Sequence, residues 1–129
     1  VLEVFKQCLV VGLGGFLGAI ARFAVGTWIV NRYAGTFPWA TFVINISGSF
    51  LLGLIGTLLL NRILINPNWR LFVTIGFIGA YTTFSTFEYE SARLGNSWQA
   101  LGNLLGSVVA GYGAVWIGIK LAESWVRRI

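Results

Sequence analysis

The sequence predicts an all-α integral membrane protein with four transmembrane helices, the third broken near its middle. Three observations carry this. The 129 residues are 57% hydrophobic and 10% charged, with a mean hydropathy of +0.80, which is outside the range of soluble domains. Four apolar runs, at roughly 7–30, 39–60, 71–87 and 97–119, each approach the ~20 residues that a helix needs to cross a hydrocarbon core of ~30 Å. The links between them are short and rich in turn residues. Four spans use almost the whole chain, which reads as one four-helix transmembrane domain over residues 1–129. The first run is too long for the apolar core of a signal peptide, and three more follow it.

In the first span Gly14, Gly18, Arg22 and Gly26 recur every four residues. Arg22 is the single basic residue well inside a span, and a charge at that depth costs ~2.5–3.5 kcal/mol or more. It either attracts an anion into a vestibule or snorkels and clamps carbonyls near the helix end, and the residues leave both readings open. Residues 31–38 form the first link. The second span repeats the small-residue spacing with Asn45, Ser49 and Gly53, and Asn45, Ser47 and Ser49 make it unusually polar. The Asn45 amide can donate to an anion or bond across to another helix. The link 61–69 carries Asn66-Pro67, and the link 93–97 carries Gly95-Asn96, both turn signals. In the fourth span Gly102, Gly106, Ala110, Ala114 and Gly118 form a small stripe, with Asn103, Ser107 and Gly111 beside it. Small stripes let helix backbones approach closely in lipid. Four stripes in so short a chain exceed what a monomeric bundle buries, which points to an oligomer.

The third run holds the chemistry. Residues 76–87 join two glycines, Gly76 and Gly79, to the hydroxyls of Thr82, Thr83, Ser85 and Thr86 and to Phe84 and Phe87 at i, i+3 spacing. As lipid-facing surface this makes little sense; as the wall of a polar pathway it does. Ring edges carry positive potential, so hydroxyls, an amide and phenyl rims can meet a dehydrated anion without a fixed cation that would hold it too tightly. The bland alternative is core phenylalanines with Ser and Thr bonding back to their own helix. Gly76, Gly79 and Thr82-Thr83 weaken helix continuity. Irregular backbone at membrane depth survives only where protein buries it or where it lines a cavity. Freed carbonyls there suit a hard cation such as Na⁺. Glu88 and Glu90 mark the water-facing end of this span.

The net charge of +5 does not signal nucleic acid. Lys6, Arg32, Arg62, Arg70, Arg93, Lys120, Arg127 and Arg128 are mostly solitary and sit at span ends, as headgroup anchors do, and six tryptophans lie near the same interfaces. Short links place both termini on one side, and the basic residues on that side favour the cytoplasm. The chain has no His and no Asp, which removes most metal sites, Ser-His-Asp triads and His relays, and argues against an enzyme. Cys8 is alone and forms no internal disulfide.

Residues 15–23 (GFLGAIARF), 45–50 (NISGSF) and 76–87 (GFIGAYTTFSTF) together resemble the Fluc family of microbial fluoride channels, across all four spans in order. The resemblance implies an antiparallel, dual-topology homodimer in the cell's inner (plasma) membrane, with two fluoride pores and a structural Na⁺ at the subunit interface. It implies that the carbonyls of Gly79 and Thr82 hold Na⁺ and that the ring edges of Phe84 and Phe87 line the pore. By the same resemblance Asn45 is the polar residue of the second helix, and Ser85, Thr86, Ser107 and Thr41 form a hydroxyl track. Arg22 and Glu88 lie at the vestibule. Such channels let cytoplasmic fluoride leak out passively and so protect the cell. Small multidrug exporters share only the architecture, since their coupling needs an acid deep in the first span, where this chain has Arg22. A proton-coupled fluoride antiporter lacks its embedded carboxylate here. A purely structural adaptor would carry no ion flux at all.

Overall fold

The computed structural model describes residues 1–61 and 66–129; Arg62, one of the expected headgroup anchors, lies outside them. Among the described residues the secondary structure is helical, without a strand. Three helices are long and apolar enough to cross a membrane: α1 (Leu2–Val30), α2 (Trp39–Leu60) and, at the C-terminal end, α6 (Trp98–Val126). At 29 residues, α1 and α6 extend about 43 Å at 1.5 Å per residue, past the hydrocarbon and into the headgroups. There Arg32 lies over the Trp28 ring at 4.6 Å and Lys120 near Trp116 at 6.0 Å, cation–aromatic pairs suited to an interface.

The third apolar run is assembled from pieces. It comprises α3 (Pro67–Arg70), a π-helical segment (Leu71–Ile78), α4 (Gly79–Tyr81) and α5 (Phe84–Arg93). Pro67 opens α3 at a position where its missing N–H costs nothing, and Asn66 caps it by accepting from the Asn68 N–H at 2.9 Å. Thr82 (φ −79°, ψ 158°) and Thr83 (φ −151°, ψ 114°) are extended. Between them the chain leaves one helix and starts another. α5 ends at Arg93, and Gly95 just beyond it turns the chain with a φ of +62°, the left-handed conformation that glycine adopts without strain. Ser97 then caps α6, accepting from the Ala100 N–H at 3.1 Å.

Packing follows the small residues. A Cβ on Gly53 would strike the Val115 carbonyl oxygen, and one on Gly18 the Phe77 carbonyl oxygen, so at these seams backbone lies directly on backbone. Contacts between α2 and α6 ascend together, Phe42 with Gly106, Ser49 with Gly111 and Gly53 with Val115; the two helices therefore run parallel. Gly14 meets Phe72 and Gly18 meets Phe77 in the same sense, so α1 runs parallel to the π-helical segment. With short links this gives alternating directions and brings both termini to one end. Ala114, Gly118 and Ala122 are buried, whereas Gly12, Gly102 and Gly113 face open space. The expected fourth-helix stripe thus packs within the chain from Gly106 onward, with Gly102 left outside. Large apolar side chains cover the outside, among them Phe16, Phe23, Val109 and Tyr112, the surface a lipid environment calls for.

Replacing Gly53 with Val should destabilise the protein by about 1–3 kcal/mol through overpacking against α6, while Gly102→Ala, in open space, should be neutral. Thermal unfolding in detergent, followed by helicity, reads both.

Candidate functional site

Breaking a helix in apolar surroundings strands backbone groups that need partners. Here one side chain supplies them. The Asn45 Nδ2 donates to the Thr83 carbonyl at 3.0 Å, and the Thr83 N–H donates to Asn45 Oδ1 at 2.8 Å. The amide imitates a neighbouring peptide group and pairs with Thr83 on both sides. In a continuous helix the Thr83 N–H would bond the Gly79 carbonyl, which therefore loses its helical donor. Of the two uses open to Asn45, the interhelical bond is made, and its second Nδ2 hydrogen is left for another acceptor.

α2 reaches the break because Gly48 has no side chain: a Cβ there would run into the Thr82 methyl group and press on the Tyr81 ring. Tyr81 is buried, shares a hydrogen bond of 3.0 Å with Ser47 and stacks on Phe77 at 6.1 Å. Thr82 turns its hydroxyl back to the Ile78 carbonyl at 3.0 Å. Thr83 then acts as the N-cap of α5, accepting from the Thr86 N–H and donating its own proton to Thr86 Oγ1 at 3.0 Å. The first turn of α5, with its unpaired N–H groups and positive dipole end, opens beside the Asn45 amide.

Two cavities flank this junction, and Thr83 lines both. One, of about 270 Å³, lies among Asn45, Ser49, Thr82, Phe84, Phe87 and Ser107. The Phe84 ring is exposed and that of Phe87 buried, with centroids 5.9 Å apart. The other, of about 470 Å³, lies among Arg22, Gly26, Thr41, Ile44 and Thr86. Arg22 is partly buried. The two ion pairs among the described residues, Lys6–Glu3 and Lys120–Glu123, do not involve it.

The residues singled out in the sequence thus separate. Asn45, Thr82, Phe84, Phe87 and Ser107 share one cavity; Arg22, Thr41 and Thr86 share the other. Ser85 and Glu88 are exposed and line neither, and Gly79 is exposed on the far side of the break. Gly79 and Thr82 offer backbone oxygens, the donor type a hard cation takes. No group of three or more His, Cys, Asp or Glu gathers among the described residues.

Three positions were not among the expected site residues, although Asn103 stands in the polar stripe of the fourth span and Glu90 beside Glu88. Asn103 is 1% exposed and bonded to Ser91 and Ser107. Ser91 is buried between Asn103 and the Phe87 carbonyl. Glu90, not Glu88, faces inward, in a third cavity of about 370 Å³ with Tyr33, Thr36 and Arg93; its Oε2 is buried without a partner among the described residues. Helical spacing was the available signal: Phe87, Ser91 and Glu90 fall at i, i+4 and i+3, whereas Glu88 turns away from Phe87.

The family described as "CrcB-like protein, Camphor Resistance (CrcB)" matches residues 9–119. The chain is similar to a protein of Solibacter usitatus named "Fluoride-specific ion channel FluC", at 49% identity over 89% of this chain and 97% of that one. A protein of the same name from Chlorobaculum tepidum is 43% identical over 95% of this chain and 98% of its own. "Fluoride-specific ion channel FluC 2" of Moorella thermoacetica is 44% identical over 90% and 96%.

Asn45→Leu leaves both polar groups of Thr83 without partners and should destabilise the fold by about 2–4 kcal/mol. Thr83→Ser keeps the peptide pairing and the cap and should remain within about 1 kcal/mol of the native protein. Urea or thermal unfolding in detergent compares them.

Proposed function

The chain belongs to the CrcB-like family, and from that premise we propose that it is a fluoride-selective passive ion channel, not an enzyme, through which cytoplasmic fluoride leaves the cell and its toxicity is lowered. It is a multi-pass membrane protein, and we place it in the plasma membrane. The working unit in this reading is an antiparallel homodimer with two pores. The observation that carries the proposal is the cavity at the Asn45–Thr83 junction, which sets the Asn45 amide and the Ser107 hydroxyl beside Phe84 and Phe87, in a chain whose relatives are named fluoride-specific channels.

The chemistry suits a small, strongly hydrated anion. The guanidinium of Arg22 beside an open cavity raises the local concentration of anions. Beyond it, water leaves the ion only if donors replace it. The second Asn45 N–H, the first-turn amides of α5 and the nearby hydroxyls are such donors. The edges of Phe84 and Phe87 add weak positive potential. With no fixed cation in this second cavity the ion is passed on and not trapped. Bare chloride is the larger ion and gains less from each donor, so donors set closely enough to replace the water of fluoride favour fluoride.

Gly79 and Thr82 are assigned to a structural Na⁺ at the dimer interface. The support is the Gly79 carbonyl, which loses its helical donor through the Asn45–Thr83 pairing, in a residue that is exposed. When bound, the cation would join carbonyls of two copies and stiffen the break. Two oxygens from one chain are too few for a hard cation, which takes about six; a second copy and water would complete the shell.

Purified protein in liposomes, followed with a fluoride electrode against a chloride control, tests the reading. Flux well above ~10³ s⁻¹, the upper end of stepwise turnover, with negligible chloride leak, is expected. Phe84→Ile and Phe87→Ile should each abolish fluoride flux while size-exclusion chromatography still shows a dimer; normal flux in both would discard this pore wall.

A further inference from the structure

Asn103 is the most deeply buried large polar side chain of the subunit, and its bonds have a fixed sense. The Ser91 hydroxyl gives its single proton to the Phe87 carbonyl at 2.7 Å. It can therefore only accept from Asn103, which turns Nδ2 toward Ser91 at 2.8 Å. Oδ1 then faces α6, where Ser107 lies one turn on, and an amide oxygen can only accept. The Ser107 proton is thus drawn onto Asn103 at 3.1 Å. What Ser107 presents to the cavity it shares with Phe84 and Asn45 is lone pairs, the wrong polarity for an anion.

We propose that Asn103 is a positioning residue for conduction, its amide setting whether Ser107 turns a proton or a lone pair toward the cavity. The inference rests on the channel reading above and deepens it. Turning the amide over by half a rotation carries Nδ2 to Ser107 and Oδ1 to Ser91. Ser107 then accepts from Nδ2, and its own proton is free for the anion. Ser91 transfers its donation from the Phe87 carbonyl to Oδ1. Protons stay on their own atoms throughout, each hydroxyl rotating about its C–O bond. The Phe87 carbonyl alone gives up a side-chain donor, and it already belongs to a helix ladder. The two arrangements contain nearly the same number of hydrogen bonds, so a passing anion that accepts from Ser107 is enough to select the second. Ser91 couples the exchange to the turn of α5 that carries Phe87.

The test is a double-mutant cycle on fluoride efflux from liposomes, with helicity and size-exclusion profile checked for every variant. Ser107→Ala should lower flux by about tenfold, the scale of one lost buried hydrogen bond, and Asn103→Leu by a similar factor, because without Nδ2 to donate to it the Ser107 hydroxyl bonds back to its own helix and not to the anion. If Asn103 acts through Ser107, the double variant loses no more than the worse single one. Ser91→Ala, which keeps Asn103 but removes the hydroxyl that donates to Oδ1 once the amide is turned over, should lower flux in the native background and have no further effect in Ser107→Ala; it decides the matter if Asn103→Leu does not fold. Losses that multiply to about a hundredfold, or native flux in Ser107→Ala, overturn the proposal. Absence of fluoride flux in the native protein would instead remove the channel reading itself, so the two failures are told apart.

Discussion

A polypeptide cannot leave an N–H and a C=O unpaired in apolar surroundings without losing several kcal/mol, and this chain interrupts a helix there. The pairing of the Asn45 amide with both polar groups of Thr83 is what makes the interruption tolerable. It does so with one side chain from a neighbouring helix, so the break is held by tertiary structure and not by local capping alone. Because the amide is planar and bidentate, it also sets the direction in which the chain leaves Thr83. The first turn of α5 and the rings of Phe84 and Phe87 inherit that direction.

The rest of the packing serves this junction. Gly48 admits Thr82 and Tyr81 against α2. Gly53 and Gly118 seat α2 on α6, bringing Ser107 opposite Phe84. Gly14 and Gly18 clasp the π-helical segment that leads into the break. A π-helix is a weak, rarely extended conformation, and here its flanks are pressed by backbone on one side. Close backbone contact compensates for poor hydrogen-bond geometry by dispersion, which depends on the absence of side chains at the seam. α5 is attached differently, through the polar chain of Phe87, Ser91, Asn103 and Ser107. The segment bearing the two phenylalanines is therefore oriented by hydrogen bonds at both ends.

Much of this was legible in the residues. The apolar runs, the turn signals at Asn66-Pro67 and Gly95-Asn96, and the polar stretch around Thr82 and Thr83 are local features, and local features are readable. The grouping of side chains was less so. Ser85 and Thr86 are adjacent, yet only Thr86 lines a cavity, because successive residues on a helix point 100° apart and the start of α5 determines which one turns inward. The same rotation exposes Glu88 and tucks Glu90 beside Arg93. Thr41, expected beside the phenylalanines, sits instead with Arg22, since α2 crosses the junction with Asn45 at the boundary and Thr41 one turn before it. The π-helical register over Leu71–Ile78 has no sequence signal among these residues.

By itself the sequence determined the all-helical membrane character, the number of apolar runs and the weak point of the third run near Thr82 and Thr83, because hydropathy, turn propensity and residue type act at short range. Only the tertiary structure decided which polar groups satisfy one another. Asn45 and Thr83 are 38 positions apart, Ser91 and Asn103 are 12 apart, and nothing local distinguishes a buried amide that pairs from one that awaits an ion. That choice depends on the hand and depth at which helices cross, which the glycine seams set by letting backbone meet backbone.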